Sequence, residues 1–164
     1  MSNNLLIRNR QRLVRLNTRF LRLIAKAVLE EFLKTQNFDL AVHVVRAPEM
    51  ARLNENFLQH QGSTDVITFD YSEIKPGTQS APSSLHGEIF ICIDDTLSQS
   101  LQFRTSWPSE LARYVIHGFL HLMGFDDTNP AARRKMKREE NRVLKKVTRL
   151  FPLSKLASGS KLRT

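Results

Sequence analysis

Two histidines spaced four residues apart are the side chains in this sequence best suited to metal chemistry. His117 and His121 occur in the stretch YVIHGFLHLMGFDDTNP, residues 114–130. On a helix, residues four apart project from the same face, one above the other, so both imidazoles can reach a single metal ion. Two histidines packed in an apolar core would show the same spacing. The pair by itself therefore leaves both interpretations open.

A mononuclear catalytic site needs a third ligand, and two carboxylates follow the histidines directly. Gly124 is a natural helix stop that allows the chain to reverse. Asp126 or Asp127 could then return beneath the imidazole rings. Two histidines and one carboxylate form a zinc ligand set that leaves one position free for water. The pattern favours a metal site, and the residues alone do not choose between the two aspartates.

The net charge of +9 is concentrated in two segments. Residues 8–26 carry seven basic residues and no acidic one, and residues 133–149 carry nine basic and two acidic residues. The intervening residues 27–132 carry six basic and fourteen acidic residues. Clustered Arg and Lys side chains bind polyanions by neutralising phosphates and releasing counterions. This distribution favours contact with nucleic acid, and two solvated helix faces are the alternative.

Hydrophobic periodicity and helix-capping residues predict the elements that must position these side chains. Strands are predicted over 4–9, 39–47, 65–71 and 87–93, and helices over 18–34, 48–58, 94–103, 106–124 and 130–150. Residues 73–84 read as a polar loop. The result is an α+β fold in a single domain over residues 1–152, with about four strands in a mixed sheet and about five helices. The metal site lies on a central helix, and residues 153–164 are predicted to form a disordered basic tail.

Composition also limits the cellular setting. No apolar run reaches the roughly 18 residues that a membrane span requires. The first twenty residues lack the apolar core and cleavage site of a signal peptide, although their arginines leave a transit peptide as an alternative. The single Cys92 excludes an internal disulfide framework and favours a reducing compartment. The expected location is the cytoplasm, without a membrane partner.

Beyond these patterns, the sequence resembles a known family. The run HGFLHLMGFDD (residues 117–127) is similar to the motif of the YbeY-type endoribonucleases, the ribosomal RNA maturation factors. Three further blocks agree with that family in the same order: NRQRLVRLN at 9–17, LNENFLQHQGSTDVITF at 53–69 and HGEIFICID at 86–94. The resemblance covers nearly the whole chain.

The resemblance implies a zinc ion bound by His117, His121 and Asp127. The family places a third histidine where this chain has Asp127. One more anionic ligand makes the ion a weaker Lewis acid and raises the pKa of its water relative to a three-histidine site. An oxygen ligand also loosens the preference for zinc over other divalent metals.

A second departure concerns an RNA-handling arginine. The family's Tyr-Arg pair after Leu-Asn is replaced here by Phe57 and Leu58. The role of that arginine is either lost or supplied by another cation. His60 is a possible substitute, and an exposed loop histidine without a role is the alternative.

The implied reaction is hydrolysis of an RNA phosphodiester, in which the metal lowers the pKa of bound water and polarises a phosphoryl oxygen. The position that carries the general base in H-E-x-x-H peptidases is Gly118, so peptide hydrolysis by that scheme is disfavoured. The catalytic base is not identifiable from the sequence. Asp126 and Glu88 are candidates for orienting a ligand histidine. The side chains expected to hold the RNA phosphates are Arg133, Arg134, Lys137 and Arg138.

Three functions are compatible with these features. The first, which the resemblance implies, is a single-strand-specific, metal-dependent endoribonuclease that matures the 3′ end of 16S ribosomal RNA and acts in small-subunit quality control. The second is a non-catalytic ribosome-assembly factor that binds ribosomal RNA with a structural metal. The third is a metallohydrolase with another substrate. The expected partners are ribosomal RNA and the small ribosomal subunit, and no stable protein partner is deducible.

Overall fold

A computed structural model describes residues 3–58, 64–72 and 84–157. The strands are β1 (Asn4–Asn9), β2 (Asn37–Val45), β3 (Val66–Asp70) and β4 (Ser84–Cys92). The α-helices are α1 (Thr18–Ala27), α2 (Ala47–Leu53), α3 (Ile93–Gln102), α4 (Trp107–Leu122) and α5 (Pro130–Leu150). Short π-helical segments, Val28–Phe32 and Asn54–Leu58, extend α1 and α2, and a 3₁₀ helix covers Leu153–Ala157.

The four strands form one mixed sheet in the order β1-β2-β4-β3. β1, β2 and β4 are parallel, and β3 pairs antiparallel with β4. The parallel pairs are joined through helical connections, as parallel strands require. The predicted α+β class, with a four-stranded mixed sheet and five α-helices, is confirmed in the described part of the chain.

Helix α4 packs on β4 and lies at the centre of the main core. The contact is close because glycine occupies the interface: a Cβ at Gly118 would lie 2.8 Å from Ile89 Cδ1. Phe119 and Ile116 on α4 are fully buried together with residues of α1 and the sheet. A smaller cluster on the opposite face of the sheet lies beneath α2 and includes Met50. α4 is therefore held rigidly, which suits a helix that carries functional side chains.

Replacing Gly118 with alanine is expected to destabilise the fold by about 1–3 kcal/mol, because the fully buried Ile89 would have to move as a whole. Denaturant unfolding measures the change. Helix propensity alone predicts the opposite sign, since alanine is favoured over glycine by about 1 kcal/mol in a helix interior. A more stable variant would thus contradict the close contact. Adding Ile89→Val, which removes the nearest methyl group, should recover part of the loss.

Most predicted helix starts agree with the structure. Asn17, Ser106 and Asn129 each accept a hydrogen bond from a main-chain N–H in the first turn of α1, α4 and α5. α3 begins one residue before its predicted start at residue 94. α3 begins at Ile93 without a side-chain cap, and the carboxylate of Asp94 instead accepts hydrogen bonds from Arg46 and from the main-chain N–H of Ala47.

The boundary drawn between domain and tail was also wrong. Leu153–Ala157 is a 3₁₀ helix, and the side chain of Leu156 is fully buried in the main core. The carbonyl of Leu156 accepts a hydrogen bond from the N–H of Asn17 at 2.8 Å, which ties this helix to the start of α1. The folded region extends at least to residue 157. Residues 158–164 of the predicted tail and residues 73–83 of the predicted loop lie outside the described residues.

None of the helices within the described ranges has both the length and the apolar character needed to cross a bilayer.

Candidate metal centre

The structure brings His117, His121 and Asp127 together at the C-terminal half of α4. The Nε2 atoms of His117 and His121 lie 3.9 Å and 3.6 Å from Oδ2 of Asp127. One ligand atom from each residue lies within 4.8 Å of the others. A tetrahedral zinc ion with bonds of about 2.1 Å needs donor atoms about 3.4 Å apart. The three side chains are thus close to the arrangement that one ion requires.

A helix-ending turn directs Asp127 back toward the histidines. Gly124 adopts φ +102°, a left-handed conformation that glycine accommodates without strain. The N–H of Gly124 donates to the carbonyl of His121, and the N–H of Phe125 donates to the carbonyl of Leu120. These two bonds form a Schellman motif, which ends α4 and reverses the chain. Asp127 then arrives on the histidine face of the helix.

The second nitrogen of His117 has a buried partner. Nδ1 of His117 donates to Oε2 of Glu140 on α5 at 2.8 Å, and the other oxygen of Glu140 accepts from Arg113 at 2.6 Å. A histidine that donates from Nδ1 keeps the lone pair of Nε2 free for a metal. The surroundings thus hold His117 in the tautomer and orientation that a metal ligand requires.

The environment also sets the charges of these groups. Burial, together with the neighbouring His117, lowers the pKa of His121, so its ring is neutral near pH 7, the form that binds metal. Burial would raise the pKa of Glu140, but hydrogen bonds from His117 and Arg113 more than compensate and hold it below its usual range. Glu140 is therefore an ionised carboxylate with only 5% of its side chain exposed.

A cavity of about 720 Å³ opens beside the cluster. His117 and Asp127 line one part of it, and Arg133, Arg134 and Lys137 on α5 contribute cations. Nη1 of Arg133 also donates to the main-chain carbonyl of Asp127 at 3.2 Å. Among the predicted phosphate-binding residues, Arg138 is exposed but does not line this cavity, and His60 lies outside the described residues.

Of the two basic segments, only residues 133–149 contribute side chains to the cavity wall in the described part of the chain. No residue of the segment 8–26 lines the cavity. In that first segment, Arg10 pairs with Glu49 at 3.2 Å, and Nε of Arg22 donates to the carbonyl of Leu5 at 3.1 Å. Some of its charge thus supports the fold rather than the candidate site.

The two carboxylates expected to orient a ligand histidine, those of Asp126 and Glu88, accept hydrogen bonds from other residues instead. Both oxygens of Asp126 accept hydrogen bonds from Thr128, one from its N–H and one from its hydroxyl. Gly87 and Ile89 on β4 face α4, so Glu88 between them points to the opposite face of the sheet. There it accepts hydrogen bonds from His43 and Tyr71, each at 2.7 Å. The hydrogen bond to Glu88 raises the pKa of Tyr71 to about 12.

Glu140, which does contact a ligand histidine, was missed in the sequence. It lies four residues after Met136 and three before Val143, on the apolar stripe that α5 buries. A carboxylate on such a stripe is a recognisable signal, because a buried charge needs a partner. Leu150, the last residue of α5, is 61% exposed and lies outside this buried stripe.

Comparison with known proteins identifies the family. The sequence model of the family described as "Endoribonuclease YbeY" matches residues 6–148, a range that contains all three residues of the cluster. The chain belongs to this family. The resemblance seen in the sequence motifs is thereby confirmed.

Individual relatives give the same result. The Endoribonuclease YbeY of Parabacteroides distasonis is 35% identical over 119 residues, covering 73% of this chain and 78% of that protein. The protein of the same name from Salinibacter ruber is 37% identical over 97 residues, which cover 58% of this chain and 62% of the relative. The solution structure of the Thermotoga maritima protein TM1509 matches with a TM-score of 0.59 at 23% identity, covering 96% of this chain and 99% of that chain. This last likeness shows a shared fold.

Proposed function

We propose that this protein is a metal-dependent endoribonuclease that cleaves single-stranded RNA. The observation that carries the proposal is the cluster of His117, His121 and Asp127 at the wall of a cavity that also presents Arg133, Arg134 and Lys137. A metal cluster and a set of cations around one cavity suit a phosphodiester substrate. Membership of the endoribonuclease YbeY family supports the same activity.

Zinc fits the three side chains. Their donor set of two imidazole nitrogens and one carboxylate oxygen is one that zinc uses in hydrolytic sites, where a fourth position stays open to water or substrate. The side chains of His117, His121 and Asp127 are 27%, 26% and 45% exposed. A structural zinc site is normally closed by four protein ligands. Three partly exposed ligands beside a cavity favour a catalytic over a structural metal.

When bound, zinc would supply Lewis acidity, lowering the pKa of a coordinated water and polarising a phosphoryl oxygen. The protein's own contribution is orientation and charge. Glu140 fixes the ring of His117, the turn after α4 fixes Asp127, and Arg134 and Lys137 can hold phosphates on either side of the scissile bond. Gly118 faces Ile89 within the core, so this position cannot accommodate the side chain of a general base such as glutamate. The scheme of the H-E-x-x-H peptidases is therefore not available.

The proposed biological substrate is ribosomal RNA. We infer maturation at the 3′ end of 16S ribosomal RNA and a part in small-subunit quality control, in the cytoplasm, as the family resemblance implies. The basic segment 133–149 supports this substrate class, because nine basic side chains on and near one helix provide the electrostatic attraction that RNA binding needs.

Replacing His117 with alanine tests catalysis against a purely structural role of the metal. We expect loss of cleavage of a single-stranded ribosomal RNA fragment, with RNA binding nearly unchanged, a folded circular dichroism spectrum at room temperature, and a thermal midpoint lowered by the loss of the bound ion. Gel-based cleavage, fluorescence anisotropy and circular dichroism measure the three properties. If the variant loses thermal stability and the wild-type protein never cleaves RNA, the metal has a structural role in a non-catalytic assembly factor. Absence of salt-sensitive RNA binding by the wild-type protein would favour a different substrate.

A further inference from the structure

An exposed aromatic ring lines the same cavity as the metal cluster. Phe103 follows α3 directly, and 59% of its surface is exposed. Gln99, four residues earlier and thus on the same side of α3, also lines the cavity. Neither residue has a part in the cluster of His117, His121 and Asp127 described above. A large apolar ring left open to solvent inside a cavity suggests a surface for a ligand.

The backbone holds this ring in a defined place. The N–H of Thr105 donates to the carbonyl of Ser100 at 2.9 Å, and the N–H of Arg104 donates to that of Leu101 at 3.4 Å, which is a Schellman motif. Its left-handed position is occupied by Arg104, with φ +55°, where glycine is usual. The hydroxyl of Thr105 donates to Glu110 on α4 at 2.8 Å and ties the turn to that helix. Phe103 is therefore presented by a closed, anchored turn.

The side chains of α5 form a second wall of the cavity, which is cationic where the wall at Phe103 is apolar. Arg133, Arg134 and Lys137 all line it, and all three are exposed. An aromatic ring and several cations around one cavity match the two parts of a nucleotide, a base with a flat apolar face and an anionic phosphate. The volume of about 720 Å³ lies within the range of pockets that enclose a small ligand, about 300–1,000 Å³.

We propose that Phe103 and Gln99 form a subsite for one unpaired nucleobase of the RNA strand, beside the metal cluster. The proposal rests on the proposed function, since the strand would run from the subsite past the cations to His117 and Asp127. The ring of Phe103 stacks on the base, and the amide of Gln99, which can both donate and accept, reaches its edge. Bases in a duplex are stacked on both faces, so the subsite selects single strands.

The test compares exposed positions on α3 and the turn that follows it. A fluorescein-labelled, 2′-O-methylated single-stranded oligonucleotide is titrated with each variant, and its integrity is checked on a gel afterwards. We expect Phe103→Ala to weaken binding about 5- to 150-fold, the range that corresponds to the loss of one base–aromatic stack. Phe103→Tyr should bind like the wild type because it retains a stacking ring. Leu101→Ala is the matched control, since Leu101 is 82% exposed and does not line the cavity.

Two further measurements sharpen the result. A fully paired hairpin of the same length should show no difference between Phe103→Ala and the wild-type protein. Circular dichroism should give equal thermal midpoints for all variants, because the substituted side chains are exposed. Equal affinity of Phe103→Ala and wild type for the single strand would overturn the subsite, and so would an equal loss with Leu101→Ala or with the hairpin.

Cleavage of an unmodified single strand separates this proposal from the proposed function. If the wild type cleaves and Phe103→Ala binds and cleaves equally well, the subsite fails and the nuclease activity stands. If the wild type does not cleave, but Phe103→Ala still weakens single-strand binding selectively, the subsite stands in a protein that binds RNA without cleaving it. If Phe103 instead contacts an apolar segment of a protein partner, the alanine variant leaves RNA binding unchanged, which rejects the subsite.

Discussion

Replacing Asp127 with alanine is expected to lower the bound zinc from about one ion per chain to near zero at micromolar free metal. The carboxylate is the third donor beside His117 and His121, and two histidines alone do not hold a catalytic ion. Metal analysis after gel filtration measures the stoichiometry. A bound ion at 100 times its dissociation constant also stabilises the fold by about 2.7 kcal/mol. EDTA should therefore lower the unfolding midpoint of the wild type and leave that of Asp127→Ala unchanged.

Two controls isolate the ligand atom. Asp126→Ala removes the neighbouring carboxylate, which is bonded to Thr128, and should keep a full equivalent of metal. Asp127→His supplies a nitrogen donor at the same position and should restore metal binding. Equal metal content in wild type and Asp127→Ala would contradict the assignment of the third ligand. Metal loss in Asp126→Ala but not in Asp127→Ala would transfer the role to the adjacent residue.

Replacing Glu140 with glutamine is expected to weaken zinc binding about 10- to 100-fold, although Glu140 is not itself a ligand. The amide has one oxygen for two donors: when it accepts from Nδ1 of His117, the amide N–H groups face the guanidinium of Arg113, and when it accepts from Arg113, they face Nδ1. The ring of His117 loses its fixed orientation, and Arg113 loses its buried partner. We also expect a stability loss of about 1–3 kcal/mol, limited because Arg113 remains 24% exposed.

Metal competition with a chromophoric chelator gives the affinity, and nitrogen-15 NMR of the imidazole reports which ring nitrogen carries the proton. Glu139→Gln is the matched control. Glu139 is the preceding residue, pairs with Arg142 and is 27% exposed, so its loss should change neither property. Unchanged zinc affinity and an unchanged His117 tautomer in Glu140→Gln would show that the buried carboxylate only supports the packing of α4 against α5.

The regular elements and their ends could be predicted because their causes are local. Spacings of three and four marked the helices, and the caps at Asn17, Ser106 and Asn129 act within one turn of their own chain. Local patterns did not predict that the ends of α1 and α2 widen into π-helical turns. They also did not predict that Leu156 is buried, because that depends on contacts with α1 and α4, which are distant in the sequence.

The candidate site shows the same division. The helical face shared by His117 and His121 follows from their spacing, and Gly124 marks the turn that follows. The sequence pattern did not distinguish Asp126 from Asp127. In the structure, the carboxylate of Asp126 accepts a hydrogen bond from Thr128, whereas the carboxylate of Asp127 lies beside the histidine rings. Alternation places every second residue of β4 on one face, but only the packing of α4 shows that Glu88 lies on the face away from the site.

The sequence by itself determined the paired histidines, the helix that carries them and the concentration of charge near α5. The tertiary structure alone decided that Glu140, twenty-three residues beyond His117, is its partner. It also decided that Phe103 and Arg134 line one cavity. Patterns along a chain report which face of an element is apolar, and contacts between two such faces arise only when the helices pack.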